Sequence, residues 1–154
     1  MDIEMQHKAK VVHRSTGGWC KSYGGVGGGW ACILRSGQHR KSLSGATPSK
    51  SEIRMELMAA VSGLKQIKFP CFVEWKTGCS CLFECASRLL RPKPTDSFVA
   101  SVRSGKAKNA DLWKDFTALS STHNITLEWI PARTNHLDSR VARASARSLA
   151  FHCR

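Results

Sequence analysis

The segment from Ser49 to Ile67, Ser-Lys-Ser-Glu-Ile-Arg-Met-Glu-Leu-Met-Ala-Ala-Val-Ser-Gly-Leu-Lys-Gln-Ile, constrains the fold of this chain more than any other. Apolar Ile53, Leu57, Ala60, Val61, Leu64 and Ile67 recur at spacings of three and four, the pattern of an amphipathic helix. Ser49 and Glu52 have the form of a capping box at its start, and Phe69-Pro70 closes its far end. At roughly 100° per residue, Glu56 falls on the border of the apolar stripe. A carboxylate there sits where the helix meets a sheet, partly shielded from water. That place suits a structural salt bridge or a metal ligand, and the spacing leaves both open.

The remaining segments alternate around this helix. Residues 1–9 are polar and without period, a short N-terminal extension, and residues 10–154 form one domain. Lys10 to Ser15 reads as a strand, Tyr23 to Gly29 as a glycine-rich hairpin loop, Trp30 to Arg35 as a buried strand and Gln38 to Ala46 as a third strand. The loop lacks the lysine-plus-hydroxyl ending and following helix of a phosphate cradle, so it is a turn. Beyond the helix, Cys71 to Thr77 reads as a strand and Cys79 to Leu90 as a helix that Arg91-Pro92-Lys93-Pro94 breaks. Thr95 to Arg103 forms a short helix, and Asn109 is placed to cap a helix over Ala110 to Ser120 whose Leu112, Phe116 and Leu119 face one way. Asn124 to Ile130 is a strand. A last helix from Asp138 to His152 carries Ala142, Ala146, Leu149, Ala150 and Cys153 on one side, with Arg140, Arg143, Arg147 and Arg154 on another. This order predicts an α/β architecture, a mixed five-stranded sheet with helices on both faces.

Charge narrows the function. Against 24 Lys+Arg stand 11 Asp+Glu, a formal net charge of +13, which points to polyanions and to nucleic acid first. Apolar content of 42%, with five Trp and six Phe, excludes a disordered chain. Seven cysteines accompany no signal-peptide pattern and no membrane-length apolar run, so a soluble intracellular protein with reduced thiols is expected, in cytoplasm or nucleoid. Cys79, Cys81 and Cys85 lack the paired spacing of zinc sites and read as small buried hydrophobes.

The words Arg54-Met55-Glu56-Leu57-Met58-Ala59-Ala60 resemble the central helix of type-one ribonuclease H, enzymes that cut the RNA strand of RNA–DNA hybrids. Thr16-Gly17-Gly18-Trp19-Cys20 and Gly29-Trp30-Ala31-Cys32-Ile33-Leu34 look like the family's first two strands. Thr77-Gly78-Cys79 stands where Thr-Asp-Ser is usual. Lys108-Asn109-Ala110-Asp111-Leu112-Trp113 resembles a helix start, and Trp129-Ile130 opens the last motif. The resemblance spans about residues 10 to 150 and implies a ribonuclease H-like fold.

Such enzymes cleave with two divalent ions about 4 Å apart, held by four carboxylates and assisted by a mobile histidine. Carried onto this chain, those positions are Gly17, Glu56, Gly78 and Arg143, with Arg133 at the histidine and His136 nearby. Only Glu56 is retained, and a guanidinium cannot ligate a metal. The family's asparagine pair before Arg54 is replaced by Glu52-Ile53. The implied reading is a non-cleaving domain that needs no metal cofactor and grips RNA–DNA hybrid or structured RNA by its phosphates. Its basic residues are Arg88, Arg91, Lys93, Arg103, Lys106 and Lys108, with Arg140, Arg143 and Arg147 beside the lost site. Two other readings stand beside it. One is a structural subunit with a protein partner in a ribonucleoprotein or reverse-transcriptase-like complex, favoured if Trp19, Trp75 or Phe98 form an exposed patch. The other is an active nuclease whose ligands are relocated among Glu74, Asp111, Glu128 and Asp138.

Overall fold

A computed structural model describes residues 11–21, 27–91, 96–131 and 135–152. Five strands and five helices follow in the order β1 (Val11–Cys20), β2 (Gly28–Ser36), β3 (His39–Thr47), α1 (Glu52–Lys65), β4 (Phe72–Thr77), α2 (Ser80–Leu89), α3 (Ser97–Ser104), α4 (Ala110–Ser120), β5 (Asn124–Trp129) and α5 (Leu137–His152). The strands form one sheet in the order β3-β2-β1-β4-β5. β1, β2 and β3 pair antiparallel, while β1 with β4 and β4 with β5 are parallel, which gives the expected mixed sheet.

β1 runs five residues past the stretch that alternation marks, because it is the central strand and is held on both edges. Cys20 still pairs with Gly28 of β2, and Thr16 lies opposite Thr77 of β4. Gly28 and Gly29 accordingly belong to β2 rather than to a loop. The two glycines of β1 permit close packing from opposite sides. A Cβ on Gly17 would lie 2.7 Å from the backbone of Ala142 and Arg143 in α5, and one on Gly18 2.6 Å from the Glu56 amide nitrogen in α1. Helices therefore press on both faces of the sheet at one point along β1, with α1 above and α5 below.

On the α1 face lies the larger core, built from Leu57, Ala60, Val61 and Leu64 of α1, Trp75 of β4, and Trp113 and Phe116 of α4. The Trp75–Phe116 and Trp113–Phe116 ring centroids are each 5.6 Å apart, the latter pair edge-to-face, so this layer is aromatic and thick. The α5 face is thin, with Ala142 against Ala31 and Ile33. Burial along α1 is broader than its apolar stripe: Met55, Glu56 and Gly63 are buried, while Ile53 and Ile67 at its ends are half-exposed. That extra flank lies against the sheet: Met55 sits over Gly28, Glu56 bonds Gly18 and Thr77, and Gly63 packs against Cys32 and Arg14.

Helix ends differ from expectation. The N-cap of α1 is Ser51, whose Oγ accepts from the Arg54 N–H at 3.1 Å; Ser49 instead accepts from the Ser51 N–H one turn earlier. Asn109 occupies the cap position of α4, but in the left-handed region at φ 59° and without a side-chain cap bond; its Oδ1 accepts from Arg54 Nη1. Leu112 and Leu119 are half-buried, and Trp113, Phe116 and Ala110 face the core. In α5 the buried line is Ala142, Ala146 and Ala150. Cys81 is exposed and Cys79 and Cys85 are half-buried, whereas Cys32 and Cys71 are the buried thiols; helix α2 turns its cysteines toward its own flank because Leu82, Ala86 and Leu89 take the core side.

Arg14 is a buried cation. It is 1% exposed under α1, donates from Nη1 to the Ala60 carbonyl at 2.7 Å, and stacks 4.2 Å from the Trp75 ring. Its Nε and Nη2 lack a hydrogen-bond partner among the described residues. Burial lowers its pKa to about 10, so it stays charged at neutral pH and is a standing cost to the fold. Among the described residues, no helix is long and apolar enough to cross a membrane. The extension over residues 1–9, most of the glycine-rich loop, the Pro92–Pro94 break, Arg133, Lys93, Cys153 and Arg154 lie outside the described residues.

Candidate nucleic-acid interface

The first turns of α1 bring Glu56 beneath the ends of β1 and β4. It is 5% exposed, and both carboxylate oxygens are engaged: Oε1 accepts from the Gly18 N–H at 3.1 Å and Oε2 from the Thr77 hydroxyl at 3.3 Å. The Thr16 hydroxyl adds a further hydrogen bond, while its own oxygen accepts from Trp75 Nε1 at 3.0 Å. Among the described residues Glu56 makes no salt bridge; its partners are the Gly18 N–H and the Thr77 and Thr16 hydroxyls. Desolvation outweighs the three hydrogen bonds, and its carboxyl is pushed up to about 7.

Over Glu56 opens a cleft of about 730 Å³ between β1, the ends of β4 and β5, and α5. Arg140, Arg143 and Arg147 line its α5 wall. The Arg143 and Arg147 guanidinia lie 4.9 and 5.1 Å from the Trp19 ring centre, and Arg147 also lies 5.7 Å from that of Phe151. A guanidinium stacked on an aromatic ring keeps its N–H edge free for a phosphate, so the wall is suited to anions.

A metal pair does not fit this donor set. Among the described residues Glu56 is the one carboxylate lining the cleft, and no group of three His, Cys, Asp or Glu could hold a metal ion. Gly17 and Gly78 differ in a way the sequence does not show. A side chain at Gly17 would collide with the α5 backbone, whereas a Cβ on Gly78 would meet only the Ile130 carbonyl, at 3.6 Å. The four carboxylates that relocated catalysis would need are dispersed, and each faces a basic side chain of its own. Glu74 Oε2 lies 2.9 Å from His13 Nδ1, and Glu128 3.5 Å from Lys76. Asp111 receives both Nη atoms of Arg54, and Asp138 both the Nε and Nη2 of Arg35. These guanidinium contacts hold Asp111 and Asp138 below the usual carboxylate range.

Of the expected binding residues, the fold brings Arg140, Arg143 and Arg147 to the cleft. Arg88, Arg91, Arg103, Lys106 and Lys108 are exposed on or around α2 and α3 and do not line it; Arg88 faces Asp96 at 3.9 Å. His136 caps α5, accepting from the Ser139 N–H at 3.2 Å through Nδ1, and is not in the cleft wall. Trp75 is fully buried and Phe98 packs edge-on against Trp113, so Trp19, Trp75 and Phe98 form no surface patch. The platform of Trp19 and Phe151 and the hydroxyl cradle of Thr16 and Thr77 were not foreseen. The one signal for the cradle is that both threonines precede a glycine, Gly17 and Gly78.

This sheet order, with α1 and α5 on opposite faces and a cleft at the ends of β1 and β4, defines a ribonuclease H-like domain. The RNase H family model matches residues 9–150, and the chain belongs to that family. Ribonuclease H of Zymomonas mobilis is 32% identical over 133 residues, covering 86% of this chain and 84% of its own length. That of Legionella pneumophila is 35% identical over 131 residues, covering 85% and 90%. Among solved structures, a type 1 RNase H with the type 2 active-site motif superposes with a TM-score of 0.75 at 14% identity, over 94% of this chain and 74% of that one. A foamy viral protease–reverse transcriptase in complex with RNA/DNA hybrid gives 0.63 at 16% identity, over 94% of this chain and 20% of that one.

Proposed function

We propose that this ribonuclease H-family chain binds RNA–DNA hybrid or structured RNA through the cleft without cleaving it. The observation that carries this is the composition of the cleft: three arginines on one wall and a single carboxylate, itself committed to Gly18, Thr77 and Thr16. Cleavage in this family needs the opposite balance, carboxylates enough to offset two divalent cations. Arginines held on Trp19 present a preformed edge to the phosphate backbone. The exposed cations Arg88, Arg91, Arg103, Lys106 and Lys108 extend the basic surface over which the same polymer would run.

Fluorescence anisotropy with labelled hybrid across a salt series tests this. The slope of log affinity against log salt is expected near 0.9 per phosphate neutralised, falling by roughly one for Arg143→Ala. An affinity indifferent to salt would reject phosphate binding in the cleft. Cleavage of the hybrid with Mg²⁺ or Mn²⁺ that vanishes in Glu56→Ala would reject the non-cleaving reading instead.

A further inference from the structure

A second groove, of about 480 Å³, opens at the opposite end of α1, between the β2–β3 hairpin and the connection from α1 to β4. Gln66 lines it, ten residues along from Glu56, a distance of about 15 Å at the helical rise. Its floor is apolar, from Val12, Leu34 and Ile67. Its rim carries His39, Arg40 and Lys41 of β3 and Lys68, all exposed, and no Asp or Glu lines it. Lys41 Nζ donates to Gln66 Oε1 at 2.5 Å and so ties the two walls together. Asp138 is held by Arg35, itself a lining residue, with Arg40 also within its field.

Beside these cations Phe69 is 73% exposed, and Phe72, beyond Pro70, is 42% exposed. Leaving two phenyl rings in water at one pole of a domain with a well-filled aromatic core calls for an occupant. A protein-binding face would place such rings in an apolar, charge-depleted centre, whereas here cations crowd the groove. A duplex hides its base faces and gains nothing from an exposed ring; an unpaired strand stacks bases on it while its phosphates meet the cations.

We propose that this groove is a second nucleic-acid site that takes single strands, with backbone phosphates on Arg40, Lys41 and Lys68 and a base against Phe69. Its occupant is set by charge complementarity and by the exposed ring, independently of what the cleft binds. Along α1 the groove lies about 15 Å from Glu56, the distance that a strand leaving a duplex held at the cleft would have to cover.

The test is anisotropy of the full chain with a labelled oligothymidine strand and, separately, with a blunt hybrid duplex. Phe69→Ala is expected to weaken single-strand binding about tenfold, the effect of one lost stacking contact, and to leave hybrid binding within about twofold. Lys41→Glu with Lys68→Glu is expected to abolish single-strand binding at moderate salt, and Arg143→Glu to weaken only the hybrid. Circular dichroism of each variant checks that the fold is kept. Single-strand affinity unchanged in both groove variants, or lost equally in Arg143→Glu, would overturn the proposal. So would the absence of single-strand binding together with self-association that Phe69→Ala abolishes, which would make the groove a protein-docking face. Single-strand binding by an unaltered chain that does not bind hybrid would sink the cleft reading and leave this one standing.

Discussion

At the scale of single residues, Glu56 is where burial, hydrogen bonding and charge meet. Its carboxyl titrates at about 7 in the fold and near the ordinary 4.5 in the unfolded chain, so the folded state holds the proton more tightly. Its contribution to stability is therefore whole below about pH 4.5 and is lost as pH rises through about 7. Glu56→Gln, which keeps the shape and can serve the same hydroxyls, is expected to be more stable than the parent at about pH 8 by roughly 2–3 kcal/mol. It should also show a flatter profile between pH 4.5 and 7. Urea unfolding across that range measures both, and parallel profiles would refute the assignment. Helical periodicity places Glu56 at the edge of the stripe, and that much is legible in the sequence. Its threonine cradle is not, because Thr16 and Thr77 meet only through the parallel pairing of β1 with β4. Arg14 is the converse case. His13-Arg14 reads as a polar pair, and alternation alone cannot say that Arg14 is the one beneath α1.

At the scale of elements, α5 is seated through small groups, with Ala142, Ala146 and Ala150 buried one turn apart and Gly17 directly beneath. Gly17→Ala is expected to cost about 1–3 kcal/mol by forcing the helix off the sheet, since the colliding atoms are backbone and cannot rotate away. Gly78→Ala should be near neutral, because its neighbour stands at ordinary contact distance. Paired thermal melts of the two variants distinguish a packed glycine from a tolerated one; equal losses would contradict the geometry. The elements themselves were largely visible in the sequence, since each of the ten has a periodic or strand-like run of its own. Their ends were less so. The capping-box spacing points to Ser49, whereas in the fold Ser51 receives the Arg54 N–H and caps the helix. Alternation marks β1 only as far as Ser15, and its second half, with the two glycines, is signalled by the family resemblance alone.

For the whole molecule, net charge is legible and its distribution is not. The excess of +13 predicts a polyanion without saying where. The fold gathers Arg140, Arg143 and Arg147 at one end of α1 and Arg40, Lys41 and Lys68 at the other, while Arg35 and Arg54 are neutralised by Asp138 and Asp111. A ligand that binds only the folded state raises its melting temperature, so divalent cations give a global readout of the cleft. Mg²⁺ or Mn²⁺ at millimolar concentration is expected to shift the melting temperature no more than a sodium chloride control of equal ionic strength, and hybrid to raise it. A metal-specific rise that Glu56→Ala removes would show a metal site in the cleft and overturn the non-cleaving proposal.

The contact of α5 with Gly17 closes that position to any side chain. An acidic group placed there would unseat the helix before it could reach the cleft, because the atoms it meets belong to the backbone of Ala142 and Arg143. A variant carrying a carboxylate at this point of β1 would first need its alanine seat loosened.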